Sequence, residues 1–316
     1  MKRLSEQVAY VNEEVSKRDF KYYIFDWDDN ILHMPTKIRM EHLEADGTWK
    51  LVDVSTATFA LVRSDVAHYR APGGVWAEAF RNFEDAPEAE GPNRFLADTV
   101  AALEKVEKGE KPGPSFNALR KTLREGRIFA IVTARGHSPE TIKQAVRLFI
   151  DRVLTPRERA EMMGSLRGYR QWLDGVGDGE FGTDEQELEY YLSMCRYSAV
   201  TYAGFTRRMK ADPIYQEKLA TATLASKPEL AKEFAIRDFV EHVFHMVRRS
   251  GATSRPVSIG FSDDDKGNVK CVSSFIREEL SKRFEGIKFV VYDTSDRALE
   301  KGRKVCVSGQ LNLPGF

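Results

Sequence analysis

The segment YYIFDWDDN, residues 22–30, decides the fold that we expect for this chain. Four apolar, strand-forming residues stop abruptly at a polar group with three aspartates, which is typical of a buried strand that leads into a loop. Two later segments repeat the pattern: RIFAIVTARG at 127–136 has a threonine after its apolar run, and PVSIGFSDDD at 256–265 ends in three aspartates. The chain therefore contains three apolar runs that each end at groups able to bind or react.

The rest of the chain predicts a doubly wound α/β fold. A fourth apolar run, IKFVVY at 287–292, indicates a further strand, and helical periodicity fills much of the chain between the runs. Strands that alternate with helices favour a Rossmann-like core with a mainly parallel sheet. Because ligands of such sheets bind beyond the carboxyl ends of the strands, we expect the polar groups of the first three strands to meet at one edge.

The charge balance bears on the class of partner. Among 316 residues, 48 are Lys or Arg and 48 are Asp or Glu, so the formal net charge is zero. Proteins that track a nucleic-acid backbone usually carry a basic excess, so nucleic acid is not the favoured partner, although a local basic patch would be compatible with it. With 42% hydrophobic and 30% charged residues, the composition is that of a globular protein.

The sequence also predicts the compartment. No apolar run reaches the roughly 18 residues that a membrane helix needs, and the first twenty residues lack the apolar stretch of a secretory signal. Cys195, Cys271 and Cys306 stand far apart, so they form neither a disulfide framework nor a CxxC metal site. We therefore expect a reduced, cytoplasmic protein without membrane contact, and the oligomeric state stays open.

The three polar strand ends favour metal-assisted chemistry only when they are taken together. An aspartate pair often ends a strand at a solvated edge, and a threonine in this position is usually structural. Converging carboxylates, however, raise one another's pKa unless a cation offsets them, and hard oxygen ligands of this kind suit Mg²⁺. Such a site supports attack of one carboxylate on phosphorus while a second carboxyl supplies a proton.

In these three segments the chain resembles the haloacid-dehalogenase-like (HAD) superfamily of Mg²⁺-dependent phosphatases and phosphotransferases. The first motif of that superfamily, a strand followed by DxDx(T/V), is matched by DWDDN at 26–30. The resemblance implies that Asp26 is the nucleophile, that Asp28 is the general acid and base, and that both lie beside the metal ion. Asn30 stands where the superfamily usually has Thr or Val, and we expect it near the substrate.

Two further motifs match in the expected order. Thr133 corresponds to the Thr or Ser that ends the second motif strand, and the resemblance implies that it contacts the phosphoryl group. Ala134 and Arg135 follow it and are expected to contact the substrate, with a surface arginine as the alternative. The acidic pair of the fourth motif is matched by Asp263, our first choice as a metal ligand, and Asp264, our second.

The third motif is a lysine without a fixed signature. Lys227, in SKPEL at 226–230, resembles the lysine at the start of the helix that precedes the last motif strand. Lys232, Arg255 and Lys266 are the alternatives.

Helical periodicity and many charges at 1–19 predict an N-terminal helix. The resemblance implies a domain organisation for the rest, with a core formed by residues 20–154 and 225–316. Within the core, a hairpin around Asp46-Gly47 would form a flap at about residues 37–63, and residues 155–224 would form a mostly helical cap insertion. In this superfamily such insertions close over the site and select the substrate.

These expectations lead to a function. The chain is expected to be a Mg²⁺-dependent phosphomonoester hydrolase that acts on a soluble phosphorylated metabolite through an aspartyl-phosphate. One alternative keeps the chemistry but has a macromolecular substrate, a nucleic-acid end or a phosphoprotein, which requires an open site. Another is a non-catalytic binding protein on the same fold, which the complete set of Asp26, Asp28, Thr133 and Asp263 disfavours.

Overall fold

The computed structural model describes residues 19–85, 93–177, 179–222, 227–249, 256–296, 298–299 and 302–308. The helix expected at 1–19 therefore lies outside the described residues, apart from Asp19.

A six-stranded sheet forms the centre of the molecule. The described residues form nine strands, of which β2, β3 and β4 belong to a second, smaller sheet. The nine are β1 (Phe20–Phe25), β2 (Ile38–Leu43), β3 (Trp49–Val54), β4 (Tyr69–Arg70), β5 (Phe129–Thr133), β6 (Arg196–Ala199), β7 (Val257–Asp263), β8 (Ile287–Asp293) and β9 (Arg303–Ser308). The central sheet has the order β6-β5-β1-β7-β8-β9. All neighbours are parallel except β9, which runs antiparallel to β8. The predicted α/β fold with a mainly parallel sheet is thus confirmed, and it is consistent with a Rossmann-like arrangement.

Helices connect most of these strands. They are α1 (Thr56–Val62), α2 (Trp76–Ala79), α3 (Arg94–Glu107), α4 (Phe116–Arg124), α5 (Pro139–Val153), α6 (Pro156–Asp174), α7 (Asp184–Met194), α8 (Ala203–Ala211), α9 (Pro213–Thr221), α10 (Lys227–Arg249), α11 (Lys266–Phe275) and α12 (Ser281–Arg283). The Ser138 side chain accepts a hydrogen bond from the Thr141 N–H at the start of α5, where Pro139 occupies the first turn. None of the helices in the described ranges combines the length and apolar character needed to cross a membrane.

The apolar runs of the sequence form the core because β1 lies between β5 and β7. Phe25 pairs with Ile131 on one side and with Ser262 on the other. Every residue of β5 is buried, which explains why FAIVT at 129–133 is apolar without alternation. Truncating a buried phenylalanine in such a core typically costs about 3–5 kcal/mol, so these runs hold the strand ends in register.

The expected cap at 155–224 is corrected by the structure. Arg196–Ala199, within that range, forms β6, which pairs in parallel with β5. Apolar residues of α6, α7 and α8, such as Leu166, Leu192 and Phe205, belong to the same core as β1 and β5. The segment is mostly helical, as predicted, but its apolar residues join the core of the central sheet and do not form a separate core of their own.

A smaller unit lies where the hairpin was expected. The strands β2 and β3 pair in antiparallel fashion around Gly47, which has a φ of 82°, and β4 adds to the outer side of β2. We call residues 38–83 the flap unit. It has its own small core, formed by Ile38, Met40, Ala71, Ala79 and Phe83. It contacts the loops after β1 and β7, where Thr56 donates a hydrogen bond to Asp29 (2.6 Å) and Arg63 donates one to Asp265 (3.1 Å).

Candidate active site

Three carboxylates meet where β1 and β7 end. Asp26 follows the last residue of β1, Asp263 ends β7, and Asp264 comes next. Because β1 and β7 are parallel neighbours, their ends lie at the same edge of the sheet, and one oxygen from each carboxylate lies within 4.8 Å of the others. Asp26 and Asp263 are buried and Asp264 is partly buried. The predicted convergence of these three side chains is therefore what the structure shows.

A buried lysine lies among these carboxylates. Lys232, on the second turn of α10, donates a hydrogen bond to Asp263 Oδ2 at 2.6 Å, and its Nζ lies 3.5 Å from Asp26 Oδ1. The Lys232 side chain is only 7% exposed. Asp263 also accepts hydrogen bonds through Oδ1 from the Asp265 N–H (2.9 Å) and the Asn268 amide (3.2 Å). Both oxygens of Asp263 are thus engaged, which fixes its orientation.

The lysine expected at this position, Lys227, lies elsewhere. It is the first residue of α10 and is exposed, five positions before Lys232. A helix advances about 1.5 Å per residue, so the two ammonium groups belong to different turns of the same helix. Of the named alternatives, the structure brings Lys232 to the carboxylates, Lys266 is exposed at the start of α11, and Arg255 lies outside the described residues.

The electrostatics of this cluster reflect its burial and crowding. Burial is the largest cause that raises the pKa of Asp26 well above its usual value, and the nearby Asp263, Asp264 and Asp28 raise it further while Lys232 opposes them. Burial together with Asp263 raises the pKa of Asp264 to about 8. Burial alone would lower the pKa of Lys232, but the carboxylates of Asp263 and Asp26 outweigh it and raise that pKa. The ammonium therefore stays charged, and the raised pKa values show that the three carboxylates are costly to ionise together with one ammonium.

Asp28 faces a different set of groups. Its carboxylate accepts two hydrogen bonds from Arg135, Nε to Oδ2 at 2.8 Å and Nη2 to Oδ1 at 2.6 Å. Thr133 Oγ1 lies 3.4 Å from Asp28 Oδ2. The Asp28 side chain is 14% exposed and does not belong to the group of three carboxylates. The backbone carbonyl of Asp28 accepts a hydrogen bond from the Asn30 N–H, and the predicted metal contact of Asp28 stays a prediction.

Two residues that were expected to touch substrate are buried in the structure. Arg135 is completely buried, neither on the surface nor facing an open site. Asn30 is also completely buried: its amide donates hydrogen bonds to Asp26 O (3.0 Å) and Ser262 O (3.2 Å), and its Oδ1 accepts one from Thr294 (2.8 Å). Asn30 thus ties the ends of β1, β7 and β8 together, which corrects its assignment to the substrate. Ala134 is exposed directly after Thr133, and its predicted contact stays a prediction.

The tight packing around Asn30 requires a glycine at position 113. A Cβ on Gly113 would lie 2.5 Å from the backbone carbonyl of Asn30, so a larger residue would displace the loop after β1. Ser115, shortly after, donates its N–H to Asn30 O at 2.8 Å. The loop that carries Asp26 and Asp28 is therefore supported by the segment before α4.

Several groups around Asp28 gave no signal in the sequence. Phe83 and Phe95 place their rings 4.5 Å and 4.7 Å from the Arg135 guanidinium, and Thr36 accepts a hydrogen bond from its Nη2 at 3.0 Å. His137 is buried and stacks on Phe95 with ring centroids 4.7 Å apart. Burial, and then the charge of Arg135, lowers the pKa of His137 to about 4. Only the fold brings Thr36, Phe83 and Phe95 to Arg135, so no spacing rule would have identified them, whereas His137 follows the second motif directly.

The three-carboxylate cluster fits a metal ion. Three carboxylate oxygens from three residues within 4.8 Å of one another supply the hard ligands that divalent cations prefer. If all three carboxylates are ionised, Lys232 offsets one charge and leaves two, which matches a divalent ion. A metal bound here would be held by Asp26, Asp263 and Asp264, and the carboxylate of Asp28 is directed to Arg135 instead.

A cavity of about 770 Å³ lies away from this cluster, near the amino ends of β1 and β5. Phe20, Tyr169, Tyr190 and His245 are among the residues that line it. Its buried ionic groups pair with one another, as in the 2.8 Å contact between Arg170 and Glu187. The group of three carboxylates that could hold a metal ion lies at the opposite edge of the sheet from this cavity.

No family model, no curated protein and no solved structure matches this chain. The resemblance to the HAD superfamily therefore rests on the motif residues and not on overall similarity.

Proposed function

We propose that the protein is a Mg²⁺-dependent phosphomonoester hydrolase of the HAD type that forms an aspartyl-phosphate at Asp26. One observation carries this proposal: the carboxylates of Asp26, Asp263 and Asp264 converge at adjoining strand ends with a buried lysine between them. A structural acidic cluster would be expected at the surface with solvated side chains, whereas two of these three residues are buried. Burying several carboxylates together is costly, and this cost points to a function.

The residues supply each part of a two-step hydrolysis. An oxygen of Asp26 attacks phosphorus, and the bond from phosphorus to the leaving oxygen breaks. Asp28 enters this step in its protonated form, gives its proton to the leaving oxygen and becomes a carboxylate. Water then attacks the same phosphorus, its proton passes to Asp28, and the bond between Asp26 and phosphorus breaks to release inorganic phosphate. Thr133 and Lys232, at the borders of the cluster, would donate hydrogen bonds to the phosphoryl oxygens.

The metal ion has one task in this scheme. Mg²⁺ bound by Asp26, Asp263 and Asp264 would offset the charge of the phosphoryl oxygens and of the nucleophile that approaches them. Asp263 is suited to this role because its neighbours hold both of its oxygens in place. In the part of the chain that the structure describes, no side chain fixes Asp264 in this way. Its raised pKa of about 8 means that ion binding would displace a proton from it at neutral pH.

A specific observation favours a second candidate for the substrate class. The segment at 155–224 packs into the core, so it does not form the lid that a small metabolite phosphatase of this type would use. The flap unit contacts the loops of the site, and five of its large apolar side chains are exposed: Leu51, Leu61, Val66, Val75 and Trp76. A phosphorylated macromolecule could use such a surface, so both substrate classes are to be tested.

The test measures phosphate release from an aryl phosphate with and without Mg²⁺. We expect hydrolysis that requires the ion, and we expect Asp26→Asn to abolish it while the unfolding midpoint stays within a few degrees. Asp151→Asn is the matched control, because Asp151 forms an exposed pair with Arg159 on distant helices. Activity that survives in Asp26→Asn would refute the proposed nucleophile, and activity independent of any divalent ion would refute the metal site.

The substrate class is tested next with the wild-type protein. Sugar phosphates, a phosphopeptide and an oligonucleotide with a terminal phosphate are compared by their kcat/KM values. A preference of about 100-fold or more for one of the larger substrates would support the second candidate, since it corresponds to about 2.7 kcal/mol of additional transition-state binding.

A further inference from the structure

We propose that Arg135 is a positioning residue that holds the Asp28 carboxylate in place for proton transfer. This inference rests on the proposed function, because it gives Arg135 a task only if Asp28 is the acid and base. It replaces the expected contact between Arg135 and the substrate.

The first observation is the geometry of the pair. Two nitrogens of one guanidinium bind two oxygens of one carboxylate, at 2.8 Å and 2.6 Å. A bidentate contact fixes both the position and the plane of the carboxylate, which a single hydrogen bond does not. The other side-chain contact of Asp28, with Thr133 at 3.4 Å, is too long to fix the side chain alone.

The second observation is that Arg135 itself is held rigidly. The rings of Phe83 and Phe95 lie 4.5 Å and 4.7 Å from its guanidinium carbon. Its Nη2 also donates a hydrogen bond to Thr36, whose hydroxyl donates one to Asp98 at 2.5 Å. These contacts come from the flap unit, α3 and the loop after β1, so the guanidinium is fixed from several sides.

The third observation separates positioning from stability. Arg135 Nη1 is buried and has no hydrogen-bond partner in the part of the chain that the structure describes. An unpartnered buried donor costs about 1–3 kcal/mol, and a buried ion pair is often no more stabilising than apolar residues of the same volume. Apolar residues in place of both Arg135 and Asp28 would therefore serve the fold about as well, so the pair is explained by what Arg135 does for Asp28.

The consequence is a dependence on the leaving group. An alkyl phosphate needs a proton on its leaving oxygen, whereas 2,4-dinitrophenyl phosphate releases a stable anion without one. If Arg135 acts through Asp28, its removal should slow only the first substrate strongly. A change that merely loosened the fold would slow both substrates to the same extent.

The experiment compares kcat/KM for the two substrates in Arg135→Met, since kcat/KM reports the steps up to leaving-group departure. We expect a loss of about 10²-fold or more with the alkyl phosphate, within the usual range for general acid catalysis, and a loss of less than about 3-fold with the dinitrophenyl ester. Arg135→Lys keeps the charge but not the bidentate contact, and it should give a smaller loss with the same dependence. Arg120→Met is the matched control, because Arg120 makes a bidentate pair with Glu158 away from the site.

A double variant identifies the route of the effect. Asp28→Asn should show the same dependence on the leaving group, and Asp28→Asn combined with Arg135→Met should be little slower than Asp28→Asn alone. Additive losses would overturn the positioning role. If Arg135→Met does not fold, Arg135→Lys provides the same comparison.

The outcomes separate this inference from the proposed function. If the wild type hydrolyses neither ester with Mg²⁺, both fall together. If the wild type and Asp28→Asn behave as expected but the Arg135 variants lose equally with both esters, only the positioning role is overturned.

Discussion

Replacing Lys232 with methionine tests the electrostatic account of the site without any assay of activity. Methionine is also unbranched and fills much of the lysine volume, so the change removes mainly the charge. In the metal-free protein the variant leaves Asp26, Asp263 and Asp264 together with no cation among them. We expect Lys232→Met to lower the free energy of unfolding at pH 8 in EDTA.

The magnitude follows from the contacts of the ammonium. Lys232 is almost fully buried; its Nζ donates a hydrogen bond to Asp263 Oδ2 at 2.6 Å and lies 3.5 Å from Asp26 Oδ1. Breaking a buried pair of this kind typically costs about 3–5 kcal/mol. Protonation limits the loss, because burial already raises the pKa of Asp26. The variant should therefore lose less stability at pH 5 than at pH 8. Since Mg²⁺ replaces the missing positive charge, it should stabilise the variant more than the wild type.

The assay is urea unfolding at pH 5 and pH 8, with EDTA and with Mg²⁺. Lys143→Met is the matched control: Lys143 pairs with Glu189 at 2.6 Å, but its partner is half exposed, so the loss should be about 1 kcal/mol or less. A loss at pH 8 no larger than that of the control would refute the account of the cluster. A variant that Mg²⁺ stabilises less than the wild type would refute the placement of the ion.

Three further predictions concern single side chains. Asp264→Asn should weaken Mg²⁺ binding, and in the metal-free protein it should raise the free energy of unfolding at pH 8 by about 1–3 kcal/mol. The pKa of Asp264 is about 8 in the folded protein and about 4 in the unfolded chain, so the wild type loses stability as the pH rises through that window. Urea unfolding of both proteins in EDTA measures the difference. His137→Phe should make the free energy of unfolding less sensitive to acid. The pKa of His137 is about 4 in the folded protein and about 6.5 in the unfolded chain, so unfolding takes up a proton between these values and the wild type loses up to about 3 kcal/mol as the pH falls. Urea unfolding at pH 7 and pH 4.5 would show the difference. Asp28→Asn should slow turnover by about 10²–10⁴-fold and allow phosphorylated Asp26 to accumulate, which mass spectrometry of the acid-quenched protein would detect.

The sequence was sufficient to predict the parallel sheet and the convergence of the three carboxylates. A buried strand in a parallel sheet leaves a continuous apolar run, and the polar residues after YYIF and PVSIGFS mark where two runs end. Parallel neighbours end at the same edge, so Asp26, Asp263 and Asp264 were predicted together. This inference needed only local patterns and the geometry of parallel strands.

The location of the lysine was beyond the sequence for a physical reason. On α10, Lys227 and Lys232 differ by five residues, so they lie on different turns and different faces, and which face meets β7 depends on packing. Local sequence places both on the same helix, but only the tertiary contact with Asp263 distinguishes the buried one. The same limit explains the segment at 155–224, whose amphipathic helices fit a separate lid or the central sheet equally well.

Two acids only two residues apart have been given different environments, and this difference argues for different tasks. Asp26 shares one ammonium with Asp263 and Asp264, so its cluster has an excess of two negative charges when all three carboxylates are ionised. Asp28 has one guanidinium to itself, so its pair is neutral. A divalent cation would offset this excess beside Asp26 and would find none to offset at Asp28. The left-handed turn at Asp29, with a φ of 55°, lies just after the two acids, in a loop that sends their side chains to different partners. One acid is thus suited to lie against a metal ion and a phosphoryl group, and the other, held apart from them by Arg135, is suited to exchange a proton with the leaving group.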